Sequence, residues 1–143
     1  MMTDMNYKHA TILLVEDDDV DAMSIERAFR KLKIINPIIR AKDGIMGLEL
    51  LENGTVYRPF LILLDLNMPR MGGLEMLDEL RNNPNLKNSV VFVLTTSKDD
   101  EDKFAAYNQN IAGYILKENL QNGFEELVTL LDHYWRIVEL PNK

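Results

Sequence analysis

Four short, uninterrupted apolar runs constrain this chain more than any other feature: Thr11 to Val15, Leu61 to Leu64, Val90 to Leu94 and Tyr114 to Leu116. Runs of this length, without polar alternation, suit strands covered on both faces, as in a parallel sheet. Pro37 to Ala41 is a fifth, weaker run, placed by its order in the chain as much as by its residues. The segments between the runs carry helical spacing. Met23, Ile25, Ala28, Phe29 and Leu32 form one apolar face, and Leu74, Leu77 and Leu80 another. Ser97 followed by Asp100 resembles a capping box that opens a helix from about Asp99 to Asn108. Phe124, Leu127, Val128, Leu131, Trp135 and Val138 mark a last helix from about Asn122 to Val138. Strands and helices alternating five times predict right-handed crossovers and a doubly wound α/β sheet. In such sheets ligands bind beyond the carboxyl ends of the strands.

The residues at those strand ends can serve one reaction. The first run passes into Glu16-Asp17-Asp18-Asp19, and the second clear run ends in Asp65. The next ends in Thr95-Thr96-Ser97 and the last in Lys117. Carboxylates brought together there repel one another unless they take up protons or a cation. Magnesium, which favours one or two carboxylates with waters and phosphate oxygens, relieves this repulsion. A carboxylate held in such a place can attack phosphorus to give an acyl phosphate. The charge that develops on the phosphoryl oxygens calls for donors, and Lys117 and the Thr95 hydroxyl can supply them.

Each of these residues also has a plainer reading. An acidic run after a strand is usually a solvated loop or a helix cap, and Thr95 and Lys117 singly are ordinary strand-end residues. Asp65 is harder to dismiss, because it interrupts the apolar stretch Leu61 to Leu66 and an unpaired buried charge is costly. Asp17, Asp19 and Asp21 mimic the start of a calcium-binding loop. Ala22 and Ala28, however, stand where that loop needs glycine and glutamate. His9 and His133 are read as surface residues, too distant in sequence for a local metal motif.

Composition narrows the function further. The 143 residues are 46% apolar, enough for a globular core, and suit one domain. Sixteen basic against twenty-three acidic residues give a net charge of −7, which argues against nucleic-acid binding. Charges interrupt every apolar stretch well before the roughly 18 residues of a membrane span. There is no cysteine, hence no disulfide, thiolate zinc site or cysteine nucleophile. With no apolar leader between Met1 and His9, cytoplasmic residence is expected.

Taken in combination, the acidic pair Glu16-Asp17, the stretch Asp65-Leu-Asn67-Met-Pro69-Arg-Met71-Gly-Gly73, Thr95 and Lys117 resemble the receiver domain of two-component response regulators. The resemblance covers Ala10 to Leu131. It implies a flavodoxin-like strand order 2-1-3-4-5 in a domain spanning residues 10–138, with terminal tails 1–9 and 139–143. It implies that Asp65 is the phosphoacceptor, fed by a sensor histidine kinase. Asp17 would bind Mg2+ directly, Glu16 through water, and Asn67 through its backbone carbonyl. Lys117 would pair with the phosphoryl oxygens, Thr95 would swing in to bond them, and Tyr114 would turn inward on activation. Gly73 would turn the chain into the third helix. Arg58 to Pro69, Leu94-Thr-Thr-Ser97 and the C-terminal Trp135 and Val138-Glu-Leu-Pro141 are similar to the stand-alone regulators paired with phytochrome-type kinases.

One position departs from the family pattern: Glu118 replaces the usual proline after the lysine. A cis bond there would cost roughly 2.5–4 kcal/mol, so a trans bond is expected, which leaves the placement of Lys117 open. Two other functions compete. A phosphatase of the haloacid-dehalogenase type needs a second acid two residues after its nucleophile, where this chain has Asn67. A receiver-like docking module that never takes phosphate is the alternative from the binding class. No output domain is expected, and the signal is expected to leave by protein contact. Leu130, Tyr134 and Ile137 form a second apolar stripe on the last helix; either the tail Glu139-Leu-Pro-Asn142 folds back to cover it or, as expected here, the helix serves self-association as a homodimer or kinase docking.

Overall fold

The computed structural model describes residues 10–142, so His9 lies outside the described residues. Five strands alternate with five helices: β1 (Thr11–Val15), α1 (Asp19–Lys31), β2 (Ile38–Ala41), α2 (Gly44–Glu52), β3 (Phe60–Leu64), α3 (Gly73–Asn82), β4 (Val90–Thr95), α4 (Asp100–Asn108), β5 (Gly113–Leu116) and α5 (Glu125–Ile137). The strands form one parallel sheet in the order β2-β1-β3-β4-β5. That is the expected fold and the expected order.

The uninterrupted apolar runs are explained by burial on both faces. Every residue of β1 and β3 is buried, and alternate side chains feed two separate cores. Leu13, Val15, Ile62, Leu64, Val91 and Val93 point to one face, where Met76, Leu77 and Leu80 of α3 and Ala106 of α4 cover them. Ile12, Leu14, Leu61, Leu63, Phe92 and Leu94 point to the other, under Ile25 and Phe29 of α1 and Leu127, Leu131 and Trp135 of α5. Phe29 and Trp135 stack with ring centroids 6.3 Å apart. Leu140, beyond α5, is buried in this second core.

Local chemistry corrects several of the sequence expectations. The cap of α4 is Asp99, whose carboxylate accepts the Glu101 N–H at 2.8 Å, rather than Ser97. The Ser97 hydroxyl instead donates to Asp102 at 2.7 Å. α5 begins at Glu125, not near Asn122, because Asn122 (φ 54°) and Gly123 (φ 64°) lie in the left-handed region that an α-helix cannot use. Met23 faces solvent rather than the apolar side of α1. Tyr134 is half-buried, edge-on to Phe92 at 5.0 Å, so the second stripe on α5 shrinks to Leu130 and Ile137.

Candidate functional site

The strand ends converge because the sheet register aligns them. Val15 pairs with Leu64, so the residues that follow, Glu16 and Asp65, emerge side by side. The Asp65 N–H donates to the Val15 carbonyl at 3.0 Å, and the Glu16 N–H to the Ala41 carbonyl at 2.9 Å. Beyond Asp65 the chain folds back tightly: the Gly73 N–H donates to the Leu66 carbonyl at 2.9 Å. A Cβ at Gly73 would overlap the Asp65 carbonyl oxygen, so only glycine permits this approach.

Carboxylate oxygens of Glu16, Asp17 and Asp65 lie within 4.8 Å of one another. Glu16 is 1% and Asp65 7% exposed, while Asp17 is open to solvent. Asp18 turns away as the cap of α1, accepting the Asp21 N–H at 3.0 Å. Lys117 follows β5 and reaches into the cluster. Its Nζ lies 2.8 Å from Glu16 Oε1, 2.7 Å from Asp21 Oδ2 and 3.7 Å from Asp65 Oδ2. The Lys117–Glu118 bond is trans, as expected, and opens a 3-10 turn over Lys117–Asn119. Glu118 itself points outward and pairs with Lys98 at 3.0 Å. Replacing proline therefore does not keep Lys117 from the cluster.

The other expected residues stand at the same end of the sheet. Thr95 is fully buried at the end of β4, and its hydroxyl accepts the Ser97 N–H at 3.3 Å. The Tyr114 hydroxyl donates to the Ser97 carbonyl at 2.9 Å. Thr95 and Tyr114 are thus joined through one loop residue rather than through the acids. Asn67 lies exposed in the turn after Asp65.

Two features of the site went unread in the sequence. Asp21, noticed only as part of a failed calcium motif, makes the shortest contact to Lys117. Its place in the first turn of α1, one helical turn past the strand end, is the signal that could have flagged it. The second is Asp43, the cap of α2, which accepts the Met46 N–H at 2.9 Å and also pairs with Arg70 through Nε at 2.8 Å and Nη2 at 3.1 Å. This pair ties the turn after Asp65 to the neighbouring helix. The sequence carries no signal for it, since a cap needs no cation.

The charges do not balance by themselves. Burial pushes the Glu16 carboxyl up to about 7; the Lys117 hydrogen bond opposes the rise and the Asp65 charge adds to it. Burial works to lower the Lys117 ammonium, but its hydrogen bonds to Asp21 and Glu16 and the charge of Asp65 outweigh it, so the net shift is upward. One ammonium shared among three carboxylates, with the Asp17 carboxylate alongside, leaves a surplus of acidic groups around a largely buried centre. A donor set of clustered carboxylates with one side open to water fits a hard divalent cation, and Glu16, Asp17 and Asp65 are the residues that would hold it.

A parallel α/β fold with an acidic cluster and a lysine at the carboxyl ends of its strands defines a receiver-type signalling domain. The family model described as "Response regulator receiver domain" matches residues 12–131, and the chain belongs to that family. Response regulator Rcp1 from Synechocystis is 34% identical, over 98% of this chain and 99% of that protein. The nitrate/nitrite response regulator NarL of Escherichia coli K12 is 38% identical over 79% of this chain and 50% of that protein. The solved Mn2+-bound form of Rcp1 superposes with a TM-score of 0.81 at 34% identity, covering 92% of this chain and 99% of that one. The phosphorylated cyanobacterial phytochrome response regulator RcpA superposes with a TM-score of 0.82 at 32% identity, covering 93% and 99%.

Proposed function

We propose that this chain is a phosphorylation switch: Asp65 accepts a phosphoryl group from a sensor histidine kinase in the presence of Mg2+, and the change leaves by protein contact. The observation that carries the reading is the buried Asp65 carboxylate, set beside Glu16 and Asp17 and within 3.7 Å of the Lys117 ammonium. An Asp65 oxygen forms the new bond to phosphorus while the bond from phosphorus to the kinase imidazole nitrogen breaks and that nitrogen keeps the electron pair. Asp65 needs no proton removed, because a carboxylate is already the nucleophile. Lys117 and the Thr95 hydroxyl donate to the phosphoryl oxygens, and the Asn67 backbone carbonyl completes the metal ligands. Bound Mg2+ supplies neutralisation of the charge that builds on those oxygens. Tyr114 reports the event, since a Thr95 hydroxyl that turns toward Asp65 gives up the Ser97 N–H, and the Tyr114 hydroxyl holds the carbonyl of that same residue.

In this reading the chain assists its own phosphorylation and dephosphorylation but turns over no separate substrate. Asn67, lacking an acid–base proton, weighs against the phosphatase alternative. The likeness to the phytochrome response regulator RcpA supports a phytochrome-type kinase as donor, and the chain is read as cytoplasmic. Exposed Leu130 and Ile137 on α5 support self-association through the last helix. The deciding experiment is intact mass after incubation with acetyl phosphate and Mg2+. One phosphoryl group should appear and should vanish in Asp65→Ala. An unmodified wild-type chain favours the silent docking module, and an unchanged yield in the variant would move the acceptor elsewhere.

A further inference from the structure

We propose that Asp21 is a positioning residue for the phosphoacceptor reaction: it holds the Lys117 ammonium away from Asp65 and competes with the phosphoryl group for it. The inference rests on the reading of Asp65 as the acceptor. Lys117 Nζ sits 2.7 Å from Asp21 and 2.8 Å from Glu16, whereas Asp65, at 3.7 Å, is beyond a hydrogen bond. An ammonium has three donors, and with Asp21 and Glu16 each taking one, a single donor is left for the phosphoryl oxygens while Asp21 keeps its hold.

Of the two contacts, Asp21 is the one that persists in the loaded site. Glu16 belongs to the carboxylate trio that a divalent cation neutralises, and Asp21 does not. A bound cation therefore weakens the hold of Glu16 and Asp65 on Lys117 and leaves that of Asp21 intact. Asp21 is also fixed in place: it lies in the first turn of α1, where Asp18 accepts its N–H. Its side chain is 27% exposed, so water screens the pair in part and the lysine can be released.

The test is titration of the full chain with beryllofluoride, a stable stand-in for a phosphoryl group on a carboxylate oxygen, at saturating Mg2+. Asp21→Asn keeps the shape and removes the charge, and should bind beryllofluoride about threefold to tenfold more tightly than wild type. Asp19→Asn makes the same charge change on the same turn, but Asp19 pairs with Arg40 at 2.8 Å rather than with Lys117. It should stay within about twofold of wild type if the effect runs through contact rather than through the overall field. In a Lys117→Gln background, Asp21→Asn should add nothing, because the coupling requires the lysine. A Lys117→Gln chain that takes up no beryllofluoride leaves the decision to the Asp21→Asn and Asp19→Asn comparison. Asp21→Ser serves if the asparagine variant does not fold. Equal or weaker binding in Asp21→Asn, an equal gain in Asp19→Asn, or a gain that survives Lys117→Gln overturns the proposal while Asp65 remains the acceptor. A wild-type chain that binds no beryllofluoride and gains no phosphoryl mass overturns both.

Discussion

Single side chains at this site act through charge, and their charges can be tested one by one. Asp17→Asn should weaken Mg2+ binding sharply, whereas Asp19→Asn, outside the carboxylate trio, should change it little. Calorimetric titration giving the reverse order would reject the assigned ligands. Glu16 binds its proton more tightly in the folded chain, at about 7 against its usual 4.5. Its contribution therefore lowers stability as pH rises between those values, and Mg2+, which needs the carboxylate, should bind more weakly as pH falls below about 7. Asp43 behaves in the opposite way. The Arg70 hydrogen bond chiefly holds its carboxyl below the usual range, so its stabilisation is present above the unfolded value and is lost as pH falls through the lowered one. Asp43→Ala should cost roughly 1–2 kcal/mol at neutral pH through loss of the cap and the ion pair, as read by chemical denaturation, and less in acid. Asp65, Glu16 and Lys117 were legible in the sequence because residue type and strand-end position coincide there. Asp21 with Lys117, and Asp43 with Arg70, were not, because each pair joins segments 96 and 27 residues apart and local pattern says nothing of such partners.

Among the elements, the strands were read most accurately, for a physical reason. A strand buried on both faces must be apolar throughout, so its ends are where polarity begins, and the clear runs in the sequence and the observed strands differ by one residue at most. Helix ends are set by backbone angles and caps, which many residues can satisfy. Hence Asp99 took the cap expected of Ser97, and the left-handed Asn122 and Gly123 delayed α5. Gly73 is the sharpest test of an element's placement. Gly73→Ala drives a methyl group into the Asp65 carbonyl and should cost roughly 3 kcal/mol as α3 is pushed off the sheet. A thermal melt within a degree or two of wild type would show that the turn yields more easily than this packing implies.

For the molecule as a whole, one sheet keeps two cores apart, and under the proposed function a change at Asp65 would leave by surface contact. Leu130 (48% exposed) and Ile137 (78%) are the apolar part of α5 that those cores leave uncovered. Replacing both by Asp should spare the fold and give a monomer, whereas Tyr134→Asp should destabilise the chain by removing the ring packed on Phe92. Sedimentation showing a wild-type monomer, with and without phosphodonor, would exclude the dimer. The sheet is also unevenly covered: β1 and β3 are buried along their whole length, whereas every residue of β5 is half-exposed. Amide hydrogen exchange should accordingly be slowest in β1 and β3 and faster in β5. Asp65 is wedged from two sides, by the Val15 carbonyl that receives its N–H and by the glycine lying against its own carbonyl. If Asp65 accepts a phosphoryl group as proposed, its held backbone would act as an anvil: displacement would pass toward the less covered β5 side of the sheet, through the Thr95–Ser97–Tyr114 linkage, and the stiffness of one half of the molecule would give the signal its direction.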